Sequence, residues 1–188
     1  MEKIESKNEA ILKDILPVSY KHDSVKQDSV SVDKLLLSWE DIDRLCLDLA
    51  KNIKAQNIKI DKIIAVSRGG LIPGRILSSL LANKNLSTIR VTFYIKPNQT
   101  KETPHLAEDL STDVTGKTIL VVDDVLESGK TLKLTYNYLM ERGAKKIYTA
   151  VLINKFVDGK EKQIEPDFFS MKITDKWIVY PWEKTEAD

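Results

Sequence analysis

One stretch limits the fold more than any other: Thr118-Ile119-Leu120-Val121-Val122-Asp123-Asp124-Val125-Leu126-Glu127-Ser128-Gly129-Lys130-Thr131. Ile119 to Val122 is an unbroken apolar run rich in β-branched residues, which predicts a buried strand. It runs straight into two adjacent carboxylates. Ser128-Gly129 then opens a helix that places Leu132, Tyr136, Leu139 and Met140 on one face and stops at Arg142-Gly143. Strand, tight turn and helix in that order form the first half of a βαβ unit.

The same alternation recurs along the chain. Ser38 with Asp41 has the form of a capped helix start, and Ile42, Leu45, Cys46, Leu49 and Ile53 follow at helical spacing through about Lys54. Lys62 to Val66 reads as a buried strand entering Ser67-Arg68-Gly69-Gly70, with a helix over Pro73 to Ala82. Strands are expected at Thr88–Ile95, Ile147–Ile153, Phe168–Ile173 and Trp177–Tyr180. The expected fold class is therefore α/β, an open and mainly parallel sheet flanked by helices. Ligands of such sheets bind beyond the carboxyl ends of the strands, where the loops at Ser67 and Asp123 fall. Residues 96–115 carry Pro97, Asn98 and Pro104 with little periodicity and read as an irregular lid. Residues 1–34 lack a sustained period and read as a partly irregular N-terminal extension, leaving 35–188 as the domain.

Composition serves mainly to exclude. A chain of 188 residues can bury the core of one domain. Its 29 basic and 28 acidic residues leave a net charge of +1, which does not fit a dedicated nucleic-acid binder. Cys46 is the single cysteine, so disulfide frameworks and multi-cysteine zinc sites are out, and its place on the apolar helical stripe makes it a core thiol. No apolar run reaches membrane-spanning length and the first residues lack a signal peptide's apolar stretch. A cytoplasmic protein without membrane or nucleic-acid partners is expected.

The Asp123–Thr131 stretch joins two chemical devices. Backbone amides at a helix start, helped by the Ser128 and Thr131 hydroxyls, suit a phosphate. Paired carboxylates repel a phosphate but suit ribose hydroxyls or a hydrated Mg²⁺. Together they describe a site for a sugar phosphate. A Walker A loop requires a glycine five positions before Gly129, and Asp124 stands there, so a nucleoside triphosphatase is excluded.

Val121 to Thr131 resembles the signature with which type I phosphoribosyltransferases bind phosphoribosyl pyrophosphate (PRPP). Val66-Ser67-Arg68-Gly69-Gly70-Leu71-Ile72-Pro73-Gly74 is similar to the pyrophosphate loop of the xanthine, guanine and hypoxanthine branch. Trp177-Ile178-Val179-Tyr180-Pro181-Trp182-Glu183 is similar to that branch's C-terminal base-binding segment. The resemblance runs from about Leu36 onward. It implies a flexible lid at about 96–115, a small C-terminal base-binding hood at about 155–188, Mg²⁺ as cofactor and a homodimer or homotetramer.

It also implies roles. Asp123 and Asp124 would hold the ribose hydroxyls and the metal, with Glu183 as a lesser metal candidate, while Glu127, Ser128, Gly129, Lys130 and Thr131 would wrap the 5-phosphate. Ser67, Arg68 and Gly69 would hold pyrophosphate through a loop that commonly carries a cis peptide, for which Ser67-Arg68 is the candidate. Lys155 would meet the exocyclic oxygen of a 6-oxopurine, Trp177 would stack on the base, and Ile178 backbone atoms would read its edge. Trp182 is read as core. Glu127 departs from the family's aspartate at the acid–base position, with one methylene more of reach. Lys96, Lys101 and His105 are lid residues. The implied activity is transfer of the phosphoribosyl group from PRPP to hypoxanthine, guanine or xanthine in purine salvage, with Glu127, Arg68 and Lys155 as the catalytic set. A non-catalytic PRPP-binding regulator and a transferase for another base are the alternatives.

Overall fold

The computed structural model describes residues 33–94 and 103–183. In chain order these form β1 (Lys34–Leu36), α1 (Trp39–Ala55), β2 (Lys62–Ser67), α2 (Leu71–Leu80), β3 (Leu86–Tyr94) and β4 (Thr103–Glu108). There follow β5 (Thr118–Leu126), α3 (Lys130–Glu141), β6 (Lys146–Phe156), β7 (Phe168–Thr174) and β8 (Trp177–Val179).

Six strands make one sheet in the order β4-β3-β2-β5-β6-β7. Every neighbouring pair is parallel except β3 with β4. Side chains alternate across this sheet and both faces are covered, which is why its central strands read as continuous apolar runs. Leu120, Val122 and Leu152 pack under α1 and α2 with Leu45, Leu49 and Leu77. Ile119, Val121 and Val151 pack on the other side with Leu132 and Leu139 of α3.

Helix α1 starts where its capping chemistry dictates. Ser38 Oγ accepts from the Asp41 amide at 3.1 Å, and Asp41 Oδ2 accepts from the Ser38 amide at 2.9 Å. Its apolar stripe is buried, Cys46 included, and burial together with the Asp43 charge pushes that thiol up to about 12. Cys46 is a core thiol, as its place on the stripe implied.

Three departures from the sequence reading lie outside the central strands. Within the stretch read as irregular, residues 103–108 form β4, and Leu110 and Val114 are buried in the core. Pro104 hides this strand from propensity arguments, and it is tolerated there because β4 is an edge strand. Lys96 and Lys101 lie outside the described residues. Met140 does not share the buried face of α3 but is 42% exposed, since it sits one position, about 100° of turn, past Leu139. Finally, β1 pairs in parallel with β8 in a separate two-stranded sheet, Lys34 opposite Trp177 and Leu36 opposite Val179. Leu35 and Leu37 turn from that pair into the core. A three-residue strand carries too little periodicity to be seen in advance.

Candidate functional site

Register brings the two distant loops together. Ala65 of β2 pairs with Val122 of β5, so Ser67 and Asp124 arrive side by side at the carboxyl edge. There is no room for a side chain at Gly69: a Cβ there would land on the Asp124 carboxylate. A Cβ on Gly70 would collide with the carbonyl oxygens of Val122 and Val66, the latter at 2.6 Å. Glycine is thus required because one loop rests on the other strand. The Ser67-Arg68 peptide is cis, as the resemblance implied. Arg68 is exposed.

β5 does not end at Val122 but continues through both acids to Leu126, burying Asp123 and Asp124 within the strand. The Asp124 amide donates to Asp123 Oδ1 at 3.0 Å, and the Val125 amide donates to Asp124 Oδ1 at 2.8 Å. Burial raises Asp123 well above the usual carboxylate range, and the neighbouring Asp124 charge adds to the rise. Burial raises Asp124 too, although the Val125 amide opposes it. Among the described residues neither acid has a Lys or Arg ion-pair partner, so this pair is suited to hydroxyl donors or a divalent cation. No group of three or more metal-binding side chains is present among the described residues. Two carboxylates alone fit Mg²⁺, which keeps several waters and completes its shell with substrate oxygens.

Tyr180 adds to this neighbourhood. Its hydroxyl is buried with no hydrogen-bond partner among the described residues, and burial followed by the charges of Asp124, Asp123 and Glu183 raises it well above the ordinary phenol value. Glu183 contributes charge to Asp124, but its Oε2 accepts from the Tyr180 amide at 3.3 Å, which ties it into its own turn.

The phosphate-loop candidate opens α3. Gly129 has φ +74°, a left-handed conformation natural to glycine, and no side chain caps the helix. The Lys130 amide makes a long 3.5 Å contact to Ser128 Oγ, and a helix start with no side-chain cap on its other amides is chemically suited to an anion. Segment 163–164 braces this loop from behind: the Gln163 amide donates to the Ser128 carbonyl at 3.0 Å, and a Cβ on Gly129 would come within 3.0 Å of the Ile164 carbonyl.

One step along, Leu126 pairs with Asn154, which sets Glu127 beside Lys155. Lys155 Nζ lies 2.9 Å from Glu127 Oε2, and Lys160 Nζ lies 3.6 Å from Oε1. Partial burial pushes Glu127 up, but the Lys155 hydrogen bond and charge, joined by Lys160, outweigh it and hold the carboxyl below its usual value. Lys155 belongs to β6 itself, which extends three residues beyond the expected Ile153 to Phe156.

Trp177 and Ile178 lie on β8, and Trp177 is 59% exposed, a free aromatic face. Trp182 packs against the core, with its ring stacked on Tyr180 at 4.6 Å and tilted against Trp39 at 5.9 Å. His105 sits on β4 with Nε2 3.0 Å from Thr92 Oγ1. Sequence reasoning missed Tyr180, Lys160 and Ile164. A lysine in a polar loop looks solvated, and only tertiary packing shows what stands behind it.

The family model for the phosphoribosyl transferase domain matches residues 35–186. The chain is 32% identical to the hypoxanthine-guanine phosphoribosyltransferase of Aquifex aeolicus, over 78% of this chain and 83% of that relative. It is 30% identical to the xanthine-guanine phosphoribosyltransferase of Idiomarina loihiensis, over 80% of this chain and 87% of the other. The crystal structure of a purine phosphoribosyltransferase from Pyrococcus horikoshii aligns with a TM-score of 0.71 at 36% identity, covering 81% of this chain and 95% of that one.

Proposed function

The chain belongs to the phosphoribosyl transferase domain family, and from that premise we propose that it transfers the 5-phosphoribosyl group of PRPP to a 6-oxopurine. Hypoxanthine, guanine and xanthine are the acceptors this reading admits, and the products are the nucleoside 5′-monophosphate and pyrophosphate. The observation that carries it is the meeting at one sheet edge of a buried acid pair, a glycine loop resting on that pair, and a Glu127–Lys155 couple 2.9 Å apart.

In this reading the α3 amides, with Ser128, Lys130 and Thr131, take the 5-phosphate, and Asp123 and Asp124 take the ribose hydroxyls. Asp123 and Asp124 would also hold Mg²⁺, which would supply positive charge to offset that of pyrophosphate. Ser67, Arg68 and the Gly69 amide bind the leaving pyrophosphate. The purine nitrogen forms its bond to the anomeric carbon as the bond from that carbon to the pyrophosphate oxygen breaks, its electron pair departing with pyrophosphate. The sugar passes through an oxocarbenium-like state. Lys155 stabilises negative charge gathering on the purine's exocyclic oxygen, Glu127 handles the proton at N7, Trp177 stacks on the base and Ile178 reads its edge. The residues act by positioning and electrostatics, with no covalent enzyme intermediate.

Residues about 155–188 serve as a hood, whereas 103–114, an edge strand and buried core, do not act as a lid. The working form is a cytoplasmic homodimer or homotetramer. Among the described residues no helix is long and apolar enough to cross a membrane.

Incubation with PRPP, Mg²⁺ and, separately, hypoxanthine, guanine, xanthine, adenine, uracil and orotate tests the reading, with nucleotide formation followed by chromatography. Nucleotide is expected with at least one 6-oxopurine. Tight PRPP binding without nucleotide from any base overturns it in favour of a PRPP-sensing regulator, and turnover of uracil or orotate alone reassigns the acceptor.

A further inference from the structure

Lys155 has two claims on it. Its ammonium is engaged by Glu127, yet in the proposed transfer reaction it serves the base's exocyclic oxygen. Its side chain is only 13% exposed, so an uncompensated Glu127 carboxylate left beside it would compete with the base for that ammonium. A second cation is already in place. Lys160 Nζ lies 3.6 Å from the other carboxylate oxygen, Oε1, so the two lysines approach different oxygens of one carboxylate.

The backbone carrying Lys160 is fixed on both sides. The turn at Asp158-Gly159 is closed by the Lys160 amide donating to the Val157 carbonyl at 3.1 Å. Beyond it, the Lys162 ammonium is buried against Asn154 and Glu165 and lies 3.4 Å from the Phe156 ring centroid. The Gln163 amide then docks on the Ser128 carbonyl at 3.0 Å. The segment that bears Lys160 is therefore the one that braces the phosphate loop. The charged groups bearing on Glu127 are Lys155 from β6 and Lys160 from this segment.

We propose that Lys160 is a positioning residue: it retains the Glu127 carboxylate beside the purine when Lys155 turns to the exocyclic oxygen. This rests on the purine-transfer reading and adds to it a residue that acts only through Glu127. The arrangement suits a glutamate, whose added methylene lets the carboxylate span two cations. Lys160 is 65% exposed, so its effect is modest.

The test compares wild type with Lys160→Met and Lys160→Arg. Lys160→Met should lower kcat about threefold, in keeping with a solvent-screened pair, and leave the KM for PRPP unchanged. It should also raise the Glu127 titration midpoint, followed by carbon-13 labelling of the glutamate carboxyls, and move the acid limb of the kcat profile the same way. Lys160→Arg should restore all three. An active wild type whose Lys160→Met variant keeps both the Glu127 midpoint and kcat overturns this proposal and leaves the purine-transfer reading standing. A wild type that forms no nucleotide with any purine sinks both.

Discussion

Glu127 shows how one methylene changes a site. Its carboxylate reaches Lys155 at 2.9 Å while facing Lys160 at 3.6 Å, and these cations together hold it below the ordinary glutamate range against the upward push of burial. The sign follows directly. The deprotonated form that accepts a proton persists to lower pH than an isolated glutamate allows, so base-assisted turnover holds through the usual carboxyl range. It fails only as pH falls through the depressed value. The same depression contributes a little stability above the ordinary value and loses it over the same descent, discounted because the side chain is 41% exposed. Glu127→Gln should lower kcat by about 100-fold and leave the dissociation constant for PRPP within about twofold, as steady-state kinetics and calorimetry would show. A variant with unchanged turnover would remove Glu127 as the proton-handling group. Residue types alone made Asp123, Asp124 and the glycine turn legible, because paired acids before a helix start have few structural explanations. The contacts of Glu127 were not legible, since they depend on which residue of β6 stands opposite.

At the scale of elements, apolar runs and caps located the helices and central strands to within a few residues. Helix α1 is the clearest case, because Ser38 and Asp41 satisfy each other's amides before the apolar stripe begins. Ser38→Ala should therefore destabilise the protein by about 1 kcal/mol, lowering the melting temperature by roughly 3 °C. Calorimetry of the two proteins checks this, and activity at low temperature should not change. Strand ends were harder to place. The acids of β5 look like a terminus, yet the ladder with β6 continues through Asp123–Val151, Val125–Ile153 and Leu126–Asn154. Backbone pairing with a neighbour overrode the polarity of the side chains. β4 was hidden for the opposite reason, since an edge strand tolerates a proline that would break a central one.

Over the whole molecule, the candidate site lies at the carboxyl ends of β2, β5 and β6, and Asp123 and Asp124 there lack ion-pair partners among the described residues. A ligand that supplies hydroxyls and charge to that edge should stabilise the fold by mass action. PRPP with Mg²⁺ at about 100 times its dissociation constant should contribute about 2.7 kcal/mol. Thermal melting should rise accordingly, and a chelator should withdraw most of the gain. No rise with PRPP and Mg²⁺ would refute donor binding at this edge. The layered architecture was legible because it follows from alternating strands and helices. The second sheet was not, because β1 and β8 are each three residues long and lie at opposite ends of the domain.

That small sheet separates two tasks. Trp177 and Ile178 ride on a ribbon whose only strand partner among the described residues is β1, whereas the acid pair is woven into the middle of the large sheet. On the proposed reading, mutations that retune the ribbon need not disturb the strand assigned to the sugar. Such a division gives descent, or a protein engineer, a replaceable cassette: the nucleobase handled can drift while the activated ribose remains the same.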